Sequence, residues 1–296
     1  MLNEILLLVS ECVLSAYPLL IKLVDVSVIL QTGLRMAVFA GLATVAAVAT
    51  KTPVNLLDFL STETLATGIL NLVHVFTSYT AFEQLTGGNA MALFYTYPVW
   101  NILGASALLK ETLPLKSLPW VGVALAGAIA LAQPTSTNWT LVGILSALMA
   151  ALTEAGIYLW FRTGATKDDK PDAQVNQEPW TKMIQMYGSS GLLWAVGIAV
   201  MAVTGLLAKN VFKLSPGSLA SILTFNSLVG FVGYALRFYL VPRVSTVVFS
   251  ALSFFGIISA YLFDWIFTSQ KPNLLQIAGA LAIIVANAVL VTKETV

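Results

Sequence analysis

Residues 89–131 read NAMALFYTYPVWNILGASALLKETLPLKSLPWVGVALAGAIAL. Two apolar runs, about 89–109 and 117–133, flank a short charged hinge that carries Lys110, Glu111 and Lys116. Each run has the length of a helix crossing a hydrocarbon layer, which takes about 17–25 mostly apolar residues. Pro98 stands in the middle of the first run, where it removes a backbone donor and frees the carbonyl of Phe94. Irregular backbone at that depth is tolerated only where protein or water satisfies it. Phe94, Tyr97 and Asn101, spaced along one helical stripe, therefore read as cavity lining, with ordinary aromatic packing as the rival reading. Tyr95 and Trp100 fall on the other sides of such a helix.

Outward from this stretch the apolar pattern repeats. The spacing predicts spans at about 2–24, 28–49, 64–84, 89–109, 117–133, 139–161, 182–207, 217–240, 244–267 and 273–293, ten in all. Hydrophobic residues make up 58% of the 296 and charged residues 10%. Soluble domains carry about 25% charged residues, so the solvent for most of this surface is lipid. Breaker signals separate the spans at Lys51-Thr-Pro53, Gly87-Gly88, Gln133-Pro134, Leu214-Ser-Pro-Gly217 and Lys271-Pro272. One link, at about 163–179, is long and polar and reads as a solvated loop; it leaves no room for a soluble domain. The apolar N-terminus lacks a basic leader and a small-residue cleavage site, so it reads as the first span.

Composition also excludes function classes. The net charge of +1 provides no basic field for nucleic acid. One cysteine, Cys12, and one histidine, His74, exclude a disulfide framework and a cysteine-based or multi-histidine metal site. No cofactor is expected. Lysines and arginines in short loops favour both termini on the cytoplasmic side of a plasma or organelle membrane. The Asn138-Trp-Thr140 sequon lies too close to a span to be used.

The 89–131 stretch resembles the EamA-like module of the drug/metabolite transporter superfamily. Its small-residue entry, mid-helix proline, glutamate thirteen residues later and glycine-bearing next helix match Ala90, Pro98, Glu111 and Gly122. A weaker copy runs from Val244, VSTVVFSALSFFGIISAYLFDWIFTSQKPNLLQIAGALAIIVANAVLV, with Gly279 in the matching last helix. It lacks the proline, has Gln270 near the glutamate's place, and carries Asp264 six residues earlier, as in the branch near nucleotide-sugar carriers. The resemblance implies an all-α membrane protein of ten helices in two inverted five-helix repeats, residues 1–135 and 136–296. Folds with inverted halves place substrate near the midplane between them.

Polar residues inside spans are costly and mark functional sites or structural pairs. Glu11, with Ser15 and Pro18 on its face, and Glu154, with Tyr158 at i+4, sit at similar depths in spans one and six. Their strings Ser10-Glu11 and Thr153-Glu154 echo each other, as repeat partners should. They suit proton or cation binding, or form structural ion pairs. Asn226, Gly230, Gly233 and Arg237 share one face of span eight, either a polar wall or a packing seam with Arg237 reaching to the interface. Arg35 in span two suits a carboxylate or phosphate. His74, near Thr77 and Ser78, is either proton-responsive or a structural hydrogen-bonder. Ser250, Ser253 and Gly256 make a small polar seam in span nine. Glu111 and Asp264, near helix ends, read as structural or gating groups.

These features together read as a secondary carrier working by alternating access, binding its solute through the residues above, with proton coupling or exchange as open modes. No phosphate-binding GxxxxGK[ST] motif is present to power a pump. A membrane-embedded enzyme lacks an HExxH or GxSxG motif, and a channel suits the repeats less well. An amino acid, an organic acid or a cationic or aromatic metabolite fits better than a sugar phosphate, which calls for clustered basic residues.

Overall fold

Serine and proline start many of the helices. Ser27, Ser61, Ser215 and Ser245 each accept a backbone N–H three residues on, at 3.2, 3.2, 3.0 and 3.3 Å. Such side chains satisfy donors that a helix N-terminus leaves unpaired. Proline stands in the first turn at Pro98, Pro119 and Pro216, where its missing N–H costs nothing. The computed structural model describes residues 2–17, 20–21, 24–54, 61–85, 87–112, 115–133, 139–166, 179–268 and 272–294.

The described residues are all-helical, without strands. In chain order the helices are α1 (Leu2–Leu14), α2 (Val28–Ala49), α3 (Thr62–Gln84), α4 (Gly87–Phe94), α5 (Tyr97–Leu109), α6 (Leu118–Ala132) and α7 (Leu141–Thr166). There follow α8 (Trp180–Val203), α9 (Pro216–Phe225), a π-helical turn (Asn226–Phe231), α10 (Val232–Leu240), α11 (Thr246–Ser253), α12 (Phe255–Thr268) and α13 (Leu274–Glu294). Eight helical stretches are long and apolar enough to cross a membrane: Val28–Ala49, Thr62–Gln84, Asn89–Leu109, Leu141–Thr163, Trp180–Val203, Pro216–Leu240, Thr246–Phe263 and Leu274–Thr292. Large apolar side chains such as Val45, Val196, Val203 and Leu281 point outward on them. Together these features suit a multi-pass membrane protein.

Ten spans were expected from the sequence. The first and fifth appear as shorter helices, α1 and the 15-residue α6. Pro18, Asn138, Gln270 and residues 167–178 of the expected polar loop lie outside the described residues, as does the side chain of Asp264.

Two of the long stretches are broken in the middle. The first breaks at Tyr95-Thr96, where Thr96 N–H bonds Leu93 O at 3.2 Å and Val99 N–H bonds Thr96 O at 3.0 Å. The other breaks at Phe254, where Phe254 N–H bonds Ala251 O and Ile257 N–H bonds Phe254 O, at 3.2 and 3.3 Å. These are tighter, i to i−3 bonds. Pro98 accounts for the first break. The second has no proline; Gly256 lies beside it, and a Cβ there would meet the Tyr95 hydroxyl and, at 3.0 Å, a Glu11 carboxylate oxygen.

Helix packing is tightest along small-residue seams, as expected where apolar lipid offers no hydrophobic drive. Helix α3 lies between α7 and α8, α2 lies on α8, α1 lies on α10, and α6 lies on α13. On the α3–α8 face, Ser190 donates to Gly68 O at 3.0 Å and Asn71 donates to Ser190 at 2.8 Å. At the α6–α13 crossing, a Cβ on Gly127 would meet Gly279 O at 2.7 Å, and one on Gly279 would meet Gly127 O at 2.6 Å. Gly122, the glycine matched from sequence, faces open space instead. At the end of this pair, Gln133 and Asn273 exchange amide hydrogen bonds at 2.7 and 2.8 Å.

Glu111 fixes one end of the bundle. Arg162 Nε donates to Glu111 Oε1 at 2.8 Å, and Thr246 donates to Oε2 at 2.7 Å. The rest of the Arg162 guanidinium donates to Val241 O and Val244 O at 2.7 and 2.6 Å. Arg162→Gln is expected to lower stability by about 1.5 kcal/mol, the low end for charged hydrogen bonds because Glu111 is partly exposed. Thermal unfolding in detergent checks this; unchanged stability overturns the structural reading of Glu111.

Candidate functional site

Five of the twelve residues singled out from sequence meet in one buried cluster. Glu11 comes from α1, His74 from α3, Glu154 and Tyr158 from α7, and Arg237 from α10. Each is at most 3% exposed. Arg237 pairs with both acids: Nη2 with Glu11 Oε2, and Nη1 with Glu154 Oε1 at 3.1 Å. Arg237 Nη1 also donates to the Tyr158 hydroxyl at 2.5 Å, and that hydroxyl donates to Glu154. The alternative of Arg237 reaching to the interface is thereby corrected. A charge at this depth is stable only when paired, and two carboxylates lie within reach.

His74 ties α3 to α7 at this cluster. Its Nδ1 lies 3.2 Å from the Ala150 carbonyl and 3.5 Å from the Thr153 hydroxyl, and its Nε2 lies 3.1 Å from Glu154 Oε2. Protonated, the imidazole forms an ion pair with Glu154 through Nε2.

Arg35 stands apart in a cage of rings. Its guanidinium carbon lies 4.6 Å from the ring centre of Tyr234, 4.9 Å from Tyr17, 5.1 Å from Phe39 and 5.8 Å from Tyr79. Ring faces attract cations. Among the described residues no carboxylate lies within ion-pair distance of Arg35.

A small cavity joins the two groups. Tyr17, Arg35, His74, Tyr95, Tyr234 and Arg237 line it, with Phe94 and Ser78 beside them. Its volume is about 40 Å³. That is room for about three waters, and far below the roughly 300–1,000 Å³ of metabolite sites.

The remaining expected residues lie around the cluster or apart from it. Tyr97 is fully buried against Tyr158, ring centres 5.6 Å apart. Asn101 donates to Ser250 at 3.0 Å, a tie between α5 and α11. Ser253 donates to Phe249 O in its own helix. Asn226 accepts from Tyr17 at 2.5 Å and so positions a cage ring. Gly230 packs against Tyr17 and Phe39, and Gly233 against Leu14, which makes them a packing seam. Of the Phe94–Tyr97–Asn101 stripe, only Phe94 lines the cavity, whereas Tyr95 lines it unexpectedly. The helix break at Tyr95-Thr96 shifts the phase, so a stripe drawn through a continuous helix does not survive. The tyrosines at 17, 79 and 234 come from three separate helical segments, and no local spacing marks them.

No protein-family model and no curated protein matches the chain. The fold is similar to that of a solved structure described only as the crystal structure of a protein. The TM-score is 0.74 at 16% identity, over 97% of this chain and 96% of the other. That likeness concerns the fold alone.

Proposed function

We propose that this protein is a secondary carrier, built as ten spans in two inverted five-helix repeats, that moves a small polar metabolite by alternating access. The observation that carries the proposal is the charged cluster of Glu11, His74, Glu154 and Arg237, buried beside a small cavity and supplied by four helices of an apolar bundle. Charges held in mid-membrane mark solute or proton pathways.

Pairings across the bundle support the two-repeat reading. Five spans on from the α3–α7 contact comes the α10–α1 contact. The α2–α8, α6–α13 and α5–α11 contacts each map onto themselves. The helix breaks at Tyr95-Thr96 and Phe254 fall in corresponding spans. Glu11 paired with Arg237 corresponds to Glu154 paired with His74, an acid on the first span of each half facing a base on the third. The resemblance to EamA-like drug/metabolite transporters agrees with this arrangement.

Purified protein in liposomes tests the reading. Saturable uptake with counterflow is expected; ohmic flux would instead indicate a channel. The buried contact between His74 and Glu154 supports proton coupling. Uptake should then respond to a reversed pH gradient and lose that response in Glu154→Gln. Uptake indifferent to both overturns the coupling and leaves exchange as the mode.

A further inference from the structure

We infer that Arg35 is the anchor for the carboxylate of an organic anion, and that this carrier's solute is a small acid with an apolar or aromatic body. The inference builds on the proposed carrier function and names its substrate class.

Charge accounting separates the two arginines. Arg237 is committed to Glu11 and Glu154, and Glu154 is also met by His74. Arg35, 2% exposed, has no such partner, and its Nε and Nη2 are buried without a hydrogen-bond partner in the protein. Ring faces offset part of the cost of burying its charge, but they accept no hydrogen bond of ordinary strength. A carboxylate matches a guanidinium edge with two parallel bonds.

The surroundings favour the same chemistry. The Tyr79 hydroxyl is also buried without a hydrogen-bond partner of good geometry. It can donate to an anion. Tyr79 and Arg35 line the cavity together with apolar Leu14, Phe82, Met91 and Phe94. A cationic solute finds both acids occupied and a free positive charge facing it. A phosphate dianion finds one arginine free of carboxylates, because Arg237 is held by both acids. A monoanion brings Arg35 to neutrality.

Thermal unfolding of the full chain in detergent, with phenylacetate, phenylacetamide and phenethylamine as matched probes, tests this without requiring transport. Ligand bound to the folded state raises the midpoint. The acid is expected to raise it, and the amide and amine to leave it unchanged. Arg35→Gln should weaken the acid by about tenfold or more, as for loss of charged hydrogen bonds. Should Arg35→Gln fail to fold, Tyr79→Phe removes one donor and is expected to weaken the acid several-fold. Stabilisation by the amine, an acid effect unchanged in these variants, or no response to the acid overturns the inference. Counterflow in liposomes reads the carrier function separately. Acid binding without counterflow overturns the carrier alone, and counterflow of a neutral or cationic solute without acid binding overturns the anion site alone.

Discussion

Arg237→Met is expected to destabilise the folded protein by about 3–5 kcal/mol, the range for breaking a buried ion pair from one side. Methionine fills much of the same volume, so the loss reports charge rather than packing. It leaves Glu11 and Glu154 buried together with only His74 for compensation. Removing the charges together should recover most of the loss. The triple variant Glu11→Gln, Glu154→Gln, Arg237→Met is expected to unfold near the wild-type midpoint, because apolar or neutral replacements of whole buried networks are often neutral or stabilising. Thermal unfolding in detergent compares the three proteins. A single variant as stable as wild type, or a triple variant no better than the single, contradicts the pairing described.

Gly279→Ala is expected to lower stability by about 1–3 kcal/mol, the usual cost of forcing an extra methyl into a filled interface. The added Cβ meets Gly127 O at 2.6 Å and Leu131 N at 2.7 Å. Both are backbone atoms, which cannot turn aside as a side chain can. Gly127→Ala should behave alike, because the contact is reciprocal. Gly122→Ala provides the contrast. Its Cβ meets nothing within 4 Å, and alanine is the better helix former by about 1 kcal/mol. It should be neutral or slightly stabilising. Equal losses at positions 122 and 279 would show that the crossing has been placed wrongly.

These two predictions also mark what was legible in the sequence. Apolar run lengths located the eight long apolar stretches to within a few residues, because hydrocarbon thickness sets a nearly fixed length; the first expected span, 2–24, appears instead as the shorter α1, Leu2–Leu14. Glu11 and Glu154 stood out because carboxylates are rare in such runs; that Arg237 joins them was not legible. The glycine at the crossing went unread. Gly122 was matched by helix position, whereas the shared string Ala126-Gly127-Ala128 and Ala278-Gly279-Ala280 points to the pair in contact. The Arg35 cage was out of reach. Its rings belong to α2, α3, the segment after α1, and α10, and only tertiary packing brings them together. The stripe on span four failed because Pro98 breaks the helix and turns the residues before it out of register.

The α6–α13 crossing has a consequence for how the molecule can move. Its backbones touch at Gly127 and Gly279, and the Gln133–Asn273 amide clasp closes one end. Ile283 Cγ1 and Ala282 Cβ pack beside the touching backbones. Parting the two helices would open a void that neither backbone can fill, so the α6–α13 pair is expected to stay together as one unit.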